Sequence, residues 1–510
     1  MGDVSSSWRR QRNRWAGTGA AVMAVSLCAG CSGGSAAAGH SGASSVRLVN
    51  SAAAAVVVTG ATPEAESISL SRVLFVSAPV VVVAGSGDAA GIHRGAAAAV
   101  RLGVPLLVMK EKEASQSAQV AAEISRLHAG SVLAMSSAVA DDLKGHTKAR
   151  ITTDTTALPA VSRADPTSPV AVLMGEGASP ELGEAVSASA RAAGATVIPV
   201  KGADLRDDPG VIKALATLGS ARVVAVGKNF GSTGRLTQRV AVARTGVQLP
   251  GGGQALFPGH RLVALYGYPG TPVLGVLGAQ GLDASIARVK KMAARYQRLS
   301  TVPVVPTFEI IATIADSTPG PDGNYSDESS VASLRPWVEK AGKAGLYVVL
   351  DLQPGRANLL DQAKLYAPLL KLPYVGLALD PEWKLTRTQR PLQQIGSVDA
   401  SAVDAVSAWL SQLTTTEKLP QKLLVLHQFQ LQMIRHEKEL NLSHDNVQVL
   451  IHMDGQGTQP MKKATWKAVT NAAPKGIPFG WKNFYTKDHP MLSPEQTMAA
   501  RPAPSMISYQ

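Results

Sequence analysis

The chain has 510 residues and a formal net charge of +13, with 45% hydrophobic and 17% charged residues. This composition is that of a globular protein, and two domains are expected at this length. Its two cysteines, Cys28 and Cys31, lie close to the N-terminus, so the rest of the chain cannot form a disulfide, bind zinc through thiolates or use a cysteine nucleophile. The basic residues are scattered rather than interleaved with aromatic residues in a stripe, which argues against nucleic acid as a partner. An anionic lipid surface or an acidic wall polymer suits the positive charge better.

Residues 1–31 have the pattern of an export signal, with a basic start and a short apolar segment, Ala16–Leu27, that is too short to span a bilayer as a mature helix. The next residues, Leu27–Cys31, look like a bacterial lipobox, which implies that Cys31 becomes the lipidated first residue. The alternative is an ordinary secretory signal that is cleaved nearby. Residues 32–45 are nearly all Ser, Gly and Ala and predict a flexible tether. We therefore expect a protein that is lipid-anchored on the outer face of the cell membrane or located in the cell wall.

Residues 46–250 alternate between predicted strands and alanine-rich helices, which predicts an α/β domain with a parallel sheet covered on both faces. The predicted strands are Val80–Ala84, Pro105–Met109, Ser131–Met135, Val170–Met174, Thr196–Val200 and Arg222–Val226. The glycine runs Gly85–Gly87 and Gly251–Gly253 lack the spacing of a dinucleotide-binding loop, and we interpret them as turns. The second run follows Pro250 and also marks the end of the domain.

The segment Val80–Met109 combines a valine-rich strand, Gly-Ser-Gly-Asp, an alanine-rich helix and a Gly-Val-Pro-Leu-Leu strand. In this order of features it resembles the cell-wall-binding repeat 2 family, and Gly194–Gly227 is similar to the later half of a second copy. The resemblance implies that the domain binds an anionic wall polymer, which such domains typically do with three copies packed together.

Residues 255–500 contain seven predicted strands with helical patterns between them, which predicts a (β/α)8-like (TIM-type) barrel with one strand unplaced. A doubly wound open sheet is the alternative, and residues 501–510 are expected to be a loose tail. The predicted strands are Leu262–Tyr266, Val304–Ala312, Tyr347–Leu352, Val375–Leu379, Leu423–Leu426, Val447–His452 and Phe479–Phe484. The predicted helices include Ala284–Leu299, Val331–Ala341, Asn358–Leu370, Ala402–Leu413 and Gln428–Leu440.

Almost every one of these strands contains or ends in a side chain that can ionise or hydrogen-bond, which in a barrel places these groups at the C-terminal rim. We predict a carbohydrate-type cleft there, with Asp351, Asp380, Glu382 and Asp454 as the catalytic residues. The predicted substrate-binding residues are Glu309, Gln353, Trp383, His427, His452, Trp481, Lys482 and Asn483. Trp383, Trp466 and Trp481 would stack on sugar rings if they are exposed, and the alternative for each is a place in the core. The two histidines with Asp454 could bind a metal, but hydrogen bonding is their commoner role, so we predict neither a metal nor another cofactor.

The strongest indication of chemistry is Asp380-Pro381-Glu382, which follows the uncharged strand Val375–Leu379. Side chains two apart on a strand lean to the same side, so Asp380 should raise the pKa of Glu382 and keep it protonated as a general acid. Asp454 or Asp351 would then be the nucleophile, the base or the group that stabilises the oxocarbenium ion. The separation of the two carboxylates decides between retention and inversion.

The stretch Gly376–Glu382 resembles the fourth-strand signature of family 18 chitinase-like glycoside hydrolases, and Met453-Asp454 is similar to part of their sixth-strand motif. The resemblance implies that Glu382 is the general acid, that Asp380 orients it, and that the substrate's acetamido group acts as the nucleophile. Val375 and Ala378 stand where that family has two aspartates.

The leading hypothesis is therefore a lipid-anchored glycoside hydrolase that cleaves an envelope or extracellular polysaccharide by carboxylate catalysis. The alternative is a non-catalytic wall or glycan binder with a degenerate barrel, and the missing aspartates favour it. The sequence does not predict an oligomeric state.

Overall fold

A computed structural model of the chain describes residues 45–165, 168–176 and 180–510, and these residues belong to one compact unit. The predictions of a signal peptide, of lipidation at Cys31 and of a tether over residues 32–44 lie outside the described residues. Within the described ranges, no helix combines the length and the apolar character that crossing a bilayer requires.

The first region contains two four-stranded parallel sheets, in which three consecutive strands have the same arrangement. In one sheet Val80–Gly85 lies between Leu106–Met109 and Ser131–Ala134, and in the other Val170–Gly175 lies between Thr196–Val200 and Arg222–Val226. The strands of one sheet are Val80–Gly85, Leu106–Met109, Ser131–Ala134 and Arg150–Thr152, and those of the other are Val170–Gly175, Thr196–Val200, Arg222–Val226 and Ala55–Val58. Ala55–Val58 precedes both sheets in the chain but pairs with Arg222–Val226. A short antiparallel pair, Arg47–Leu48 with Phe75–Ser77, lies beside them.

Helices cover both sheets, and the one over Ala89–Leu102 shows why the sequence forms them. Asp88 caps its first turn by accepting a hydrogen bond from Gly91 N, and Gly103 ends it with φ +73°. Its alanines let it pack closely on Pro180–Ala192, so the two sheets share one core. The helices of this region are Pro63–Leu74, Ala89–Leu102, Ala114–Arg126, Ser137–Leu143, Pro180–Ala192, Pro209–Leu218 and Thr233–Ala243.

The second region is a closed barrel of eight parallel strands, because its first strand pairs with both its second and its last. This confirms the predicted TIM-like barrel, and the alternative of an open sheet is wrong. In chain order the strands are β1 (Arg261–Gly267), β2 (Val304–Ala315), β3 (Tyr347–Leu352), β4 (Val375–Leu379), β5 (Lys422–Gln428), β6 (Val447–Met453), β7 (Phe479–Asn483) and β8 (Met506–Tyr509). The short strand Ser326–Glu328 adds antiparallel to β2.

Helices surround this barrel, and four of the five predicted ones are present, Asn358–Leu370 as two helices, Leu359–Leu365 and Ala367–Leu370. The predicted helix Gln428–Leu440 is wrong, because β5 continues to Gln428 and Ile434 then pairs with Val398 in a short parallel bridge. The helix Gln459–Ala472, which Thr458 caps, was not predicted. The barrel helices are Leu282–Gln297, Val331–Lys343, Leu359–Leu365, Ala367–Leu370, Ala400–Thr416, Gln459–Ala472 and Pro494–Met498.

The expectation of a loose tail over residues 501–510 is also wrong, because β8 lies there and closes the barrel. The apolar residues Met506, Ile507 and Tyr509 are buried, and Ser505 O accepts a hydrogen bond from Leu262 N. The pairing with β1 and β7 therefore fixes the last residues of the chain.

Side chains along the barrel strands alternate between the interior and the surrounding helices. The interior is apolar toward the N-terminal ends of the strands, where Leu262, Val349, Leu423 and Met506 pack together. Toward the C-terminal ends the interior positions become polar, and they form the site described below.

The first region packs against the end of the barrel opposite this polar rim. Arg239 donates to both carboxylate oxygens of Asp445, at 2.8 and 2.6 Å, and Arg206 forms an ion pair with the same carboxylate at 3.1 Å. Asp445 lies just before the start of β6. The contact therefore leaves the C-terminal rim of the barrel uncovered by the first region.

Candidate active site

Three carboxylates converge at the C-terminal rim and form what we call the carboxylate triad, Asp380, Glu382 and Asp454. Each contributes one oxygen atom, and these atoms all lie within 4.8 Å of one another. Asp380 and Glu382 follow β4, and Asp454 follows β6. The sequence therefore predicted correctly that these three residues lie together, although they come from two different strands.

The position of Asp380 and Glu382 follows from Pro381, which has no N–H to extend the ladder of β4. Pro381 begins a single 3₁₀ turn, Pro381–Trp383. Asp380 is only 2% exposed, and its Oδ1 has no hydrogen-bond partner among the described residues. Burial, followed by the charge of Glu382, raises the pKa of Asp380 well above its usual range. A buried carboxyl group without a partner is favoured in its neutral form.

Glu382, two residues after Asp380, is half-buried. Burial, and next the charge of Asp454, raise the pKa of Glu382 to about 7. The raised pKa that the sequence predicted is therefore present, but burial and Asp454 cause most of it rather than Asp380. Glu382 can donate a proton near neutral pH, as a general acid must.

Asp454 has the opposite environment because His427 donates to it. His427 Nδ1 lies 3.1 Å from Asp454 Oδ2, and His427 Nε2 lies 3.0 Å from Glu309 Oε1. Both ring nitrogens face ionisable oxygens that can only accept when charged, so the ring is held as an imidazolium. Burial alone would raise the pKa of Asp454, but the hydrogen bond and charge of His427 outweigh it and lower that pKa.

The pKa of the His427 imidazole also depends on burial and on the neighbouring charges. Burial alone would lower the pKa of His427, but the charge of Glu309 and the hydrogen bonds to Asp454 and Glu309 raise it well above its usual range. The carboxylate triad thus holds two carboxyl groups prone to protonation, Asp380 and Glu382, and one carboxylate kept ionised, Asp454.

Asp351 lies on the other side of His427 and belongs to a second polar group. Its Oδ2 accepts a hydrogen bond of 2.8 Å from Tyr266 Oη, and Gln353 Nε2 donates to the same Oη at 3.3 Å. Burial raises the pKa of Asp351 to about 6 despite the nearby charge of His427. The Lys482 ammonium lies 3.5 Å from the centre of the Tyr266 ring, and its charge lowers the pKa values of Asp351, Glu382 and Asp454.

His452 is fully buried in the barrel interior, and its Nε2 lies 2.7 Å from Ser508 Oγ. Burial lowers the pKa of His452 well below its usual range, so this ring is neutral. Because both nitrogens of His427 already bind carboxylates, the histidines do not form a metal site with Asp454 in this arrangement. The oxygen atoms of the carboxylate triad are of the kind that Mg²⁺ and Ca²⁺ prefer.

The predicted exposure of Trp466 and Trp481 is wrong. Trp481 points outward from β7 and packs against Trp466, at 5.2 Å between ring centres, and both are buried. Asn483 also points outward, and its Oδ1 accepts a hydrogen bond from Trp481 Nε1. Both side chains are thus on the opposite side of β7 from Lys482 and away from the carboxylate triad. Trp383 is half-buried beside Glu382 at the rim.

Two polar residues of the interior were not predicted, Tyr266 on β1 and Ser508 on β8. Tyr266 ends the predicted strand Leu262–Tyr266, so the rule that found the other polar strand ends could have found it. Ser508 lies in the strand that the sequence analysis missed.

No protein-family model matches the chain, and a comparison with curated proteins finds no match. The functional argument therefore depends on the site itself.

Proposed function

We propose that the barrel is a glycoside hydrolase with Glu382 as the general acid and Asp454 as the nucleophile. The observation that carries the proposal is the pair itself: two carboxyl groups with oxygen atoms within 4.8 Å and pKa values shifted in opposite directions. Two carboxyl groups whose environments separate their pKa values are the usual acid and base of such enzymes.

In the proposed reaction, protonated Glu382 donates to the glycosidic oxygen as the bond from that oxygen to the anomeric carbon breaks. Asp454 Oδ1, which has no hydrogen-bond partner among the described residues, attacks the anomeric carbon and forms a glycosyl ester. Water, deprotonated by Glu382, then hydrolyses the ester and frees Asp454. His427 keeps Asp454 ionised through both steps by its bond to the other carboxylate oxygen.

The short separation predicts the stereochemistry. Retaining enzymes hold their carboxyl groups about 5–5.5 Å apart, whereas inverting enzymes leave room for a water molecule at about 6.5–9.5 Å. We therefore expect retention of the anomeric configuration, measured by NMR on the first product formed. Release of the opposite anomer would assign Asp454 the role of base rather than nucleophile.

We propose an envelope or extracellular polysaccharide as the substrate and a lipid anchor at Cys31 as the link to the membrane. The support is the order of features in residues 1–31, a basic start, an apolar segment and the lipobox-like Leu27–Cys31, together with the net charge of +13. We propose further that the first region binds a wall polymer, for which the support is the repeat-like sequence of Val80–Met109 together with the shared arrangement of three consecutive strands in the two sheets.

The test is hydrolysis of arabinogalactan, peptidoglycan and chitin oligomers by the wild type and by Glu382→Gln. We expect product release by the wild type and a loss of at least about a hundredfold in the variant, as for other acid catalysts. Glu339→Gln, which changes an exposed glutamate on a barrel helix, is the matched control and should keep full activity. Hydrolysis that survives Glu382→Gln would exclude Glu382 as the acid.

A second candidate is a non-catalytic glycan binder. The observation in its favour is that Asp380 and Asp454 are buried and their Oδ1 atoms are closed off from solvent, so a sugar ring reaches Asp454 only if rim side chains move. Binding to purified wall without turnover of any substrate would support this candidate.

A further inference from the structure

The segment Lys384–Gly396, which follows the turn Pro381–Trp383, has an unusual combination of charge and exposure. It contains the cations Lys384, Arg387 and Arg390 and no acidic residue. Leu392, at its tip, is 81% exposed, and Ile395 is also exposed. Leu392 has φ +66°, a backbone conformation that a bulky residue rarely adopts, so both the exposure and the backbone of this leucine are costly.

Hydrogen bonds near both ends of this segment, and one to Gln389, hold it against the barrel. Leu385 N donates to Gly355 O at 2.8 Å, and Gly396 N donates to Glu382 O at 2.6 Å. Arg356 donates to Gln389 O at 2.8 Å. Lys384 is occupied with the carbonyls of Arg356 and Leu385. In contrast, Arg387 and Arg390 are exposed and form no ion pair within the described part of the chain.

Other aliphatic side chains are exposed at the same end of the barrel. Val273, in the loop after β1, is 85% exposed, Leu431 is exposed in the loop after β5, and Met461 is exposed in the first turn of the helix Gln459–Ala472, which follows β6. All follow the C-terminal ends of strands, so they surround the mouth above the carboxylate triad. Sugar-binding surfaces are built mainly from aromatic rings, whereas aliphatic side chains combined with unpaired cations suit the boundary between lipid headgroups and acyl chains.

We propose that the segment Lys384–Gly396 docks the barrel rim on an anionic lipid surface. Leu392 and Ile395 insert among the lipids, and Arg387 and Arg390 contact their phosphates. The consequence for the substrate rests on the proposed function: the cleft then faces the membrane, and the glycan it cleaves is one attached to lipid or lying against the lipid surface. The docking itself needs no turnover.

The test measures insertion locally in the full chain with Cys28→Ser and Cys31→Ser, so that a lipid anchor does not decide the result. An environment-sensitive fluorophore is attached at Leu392→Cys or, as the matched control, at Leu365→Cys. Leu365 is 52% exposed on the barrel's outer wall, in the helix Leu359–Leu365. Vesicles contain phosphatidylcholine alone or equal parts of phosphatidylcholine and phosphatidylglycerol, with nitroxide-labelled lipid as the quencher.

We expect a blue shift and quenching at position 392 on the anionic vesicles and neither at position 365. Arg387→Glu combined with Arg390→Glu should weaken this insertion at least about tenfold, because each cation near such a surface contributes about one tenfold step or slightly less. Equal signals at both positions, or insertion that survives charge reversal, would overturn the proposal. A blue shift of the fluorophore that appears without vesicles and grows with protein concentration would show that the segment contacts a second copy of the chain rather than lipid.

Failure of this proposal is distinguishable from failure of the proposed function. Insertion at position 392 without any Glu382-dependent hydrolysis would refute the proposed enzyme and support the docking surface. Hydrolysis that depends on Glu382, without insertion at position 392, would support the proposed enzyme and refute the docking surface.

Discussion

The replacement Glu382→Gln tests the environment of the carboxylate triad without a substrate. A rise in the pKa of Glu382 from 4.5 to about 7 corresponds to about 3 kcal/mol, at 1.36 kcal/mol for each pKa unit. Because the folded-state pKa is raised, the folded protein is penalised for ionising Glu382. The associated stability is complete below the unfolded pKa of 4.5 and is lost as the pH rises through about 7.

Glutamine resembles the protonated form and cannot ionise, so the variant avoids this penalty. We expect Glu382→Gln to raise the free energy of unfolding by about 3 kcal/mol near pH 8 and by less than about 1 kcal/mol near pH 5. The measurement is urea unfolding followed by tryptophan fluorescence, since every tryptophan in the described ranges lies in the barrel. Glu339→Gln, on an exposed helix face, should show no such pH dependence. A variant that is no more stable than the wild type near pH 8 would refute the buried environment assigned to Glu382.

Three further predictions follow from the same geometry. The ratio kcat/KM should fall about tenfold per pH unit above about pH 7, as Glu382 ionises, and a rate–pH profile that rises there would contradict its role as the acid. Trp481→Ala should lower the free energy of unfolding by about 3–5 kcal/mol because it empties a buried site, whereas Trp383→Ala should mainly raise KM. Urea unfolding measures the first effect and steady-state kinetics the second. A Trp481 variant of unchanged stability would be inconsistent with the core position. Removal of Met506–Gln510 should leave β1 and β7 each with one unpaired edge and unfold the barrel, which near-UV circular dichroism detects. A native spectrum would show that the barrel does not need β8.

The barrel could be predicted from the sequence because its strands are apolar runs that end in polar residues. Tyr347–Leu352 and Val375–Leu379 have the predicted bounds, since both are buried strands with clear stops. β8 could not be recognised in this way because it is short and follows Pro502 and Pro504. Its strand character comes from pairing with β1 and β7, which are distant in sequence.

The site was predicted in composition but less well in orientation. Side chains alternate along β7, which places Lys482 inside the barrel and Trp481 and Asn483 outside. This alternation could have shown from the sequence that Trp481 and Lys482 do not face the same side. The bridge that His427 makes between Glu309 and Asp454 is different. It joins side chains of β2, β5 and the end of β6 across the barrel, and only the closed tertiary structure brings them together.

The central claim is that Glu382 is about half protonated at pH 7 while Asp454 is ionised. The most direct measurement is an NMR titration of the side-chain carboxyl carbons in the full chain, with the two signals assigned by Glu382→Gln and Asp454→Asn. The account predicts a midpoint for Glu382 near 7 and a midpoint for Asp454 below the usual range of an aspartate. Two midpoints in the ordinary carboxylate range, or the higher midpoint on Asp454, would contradict it.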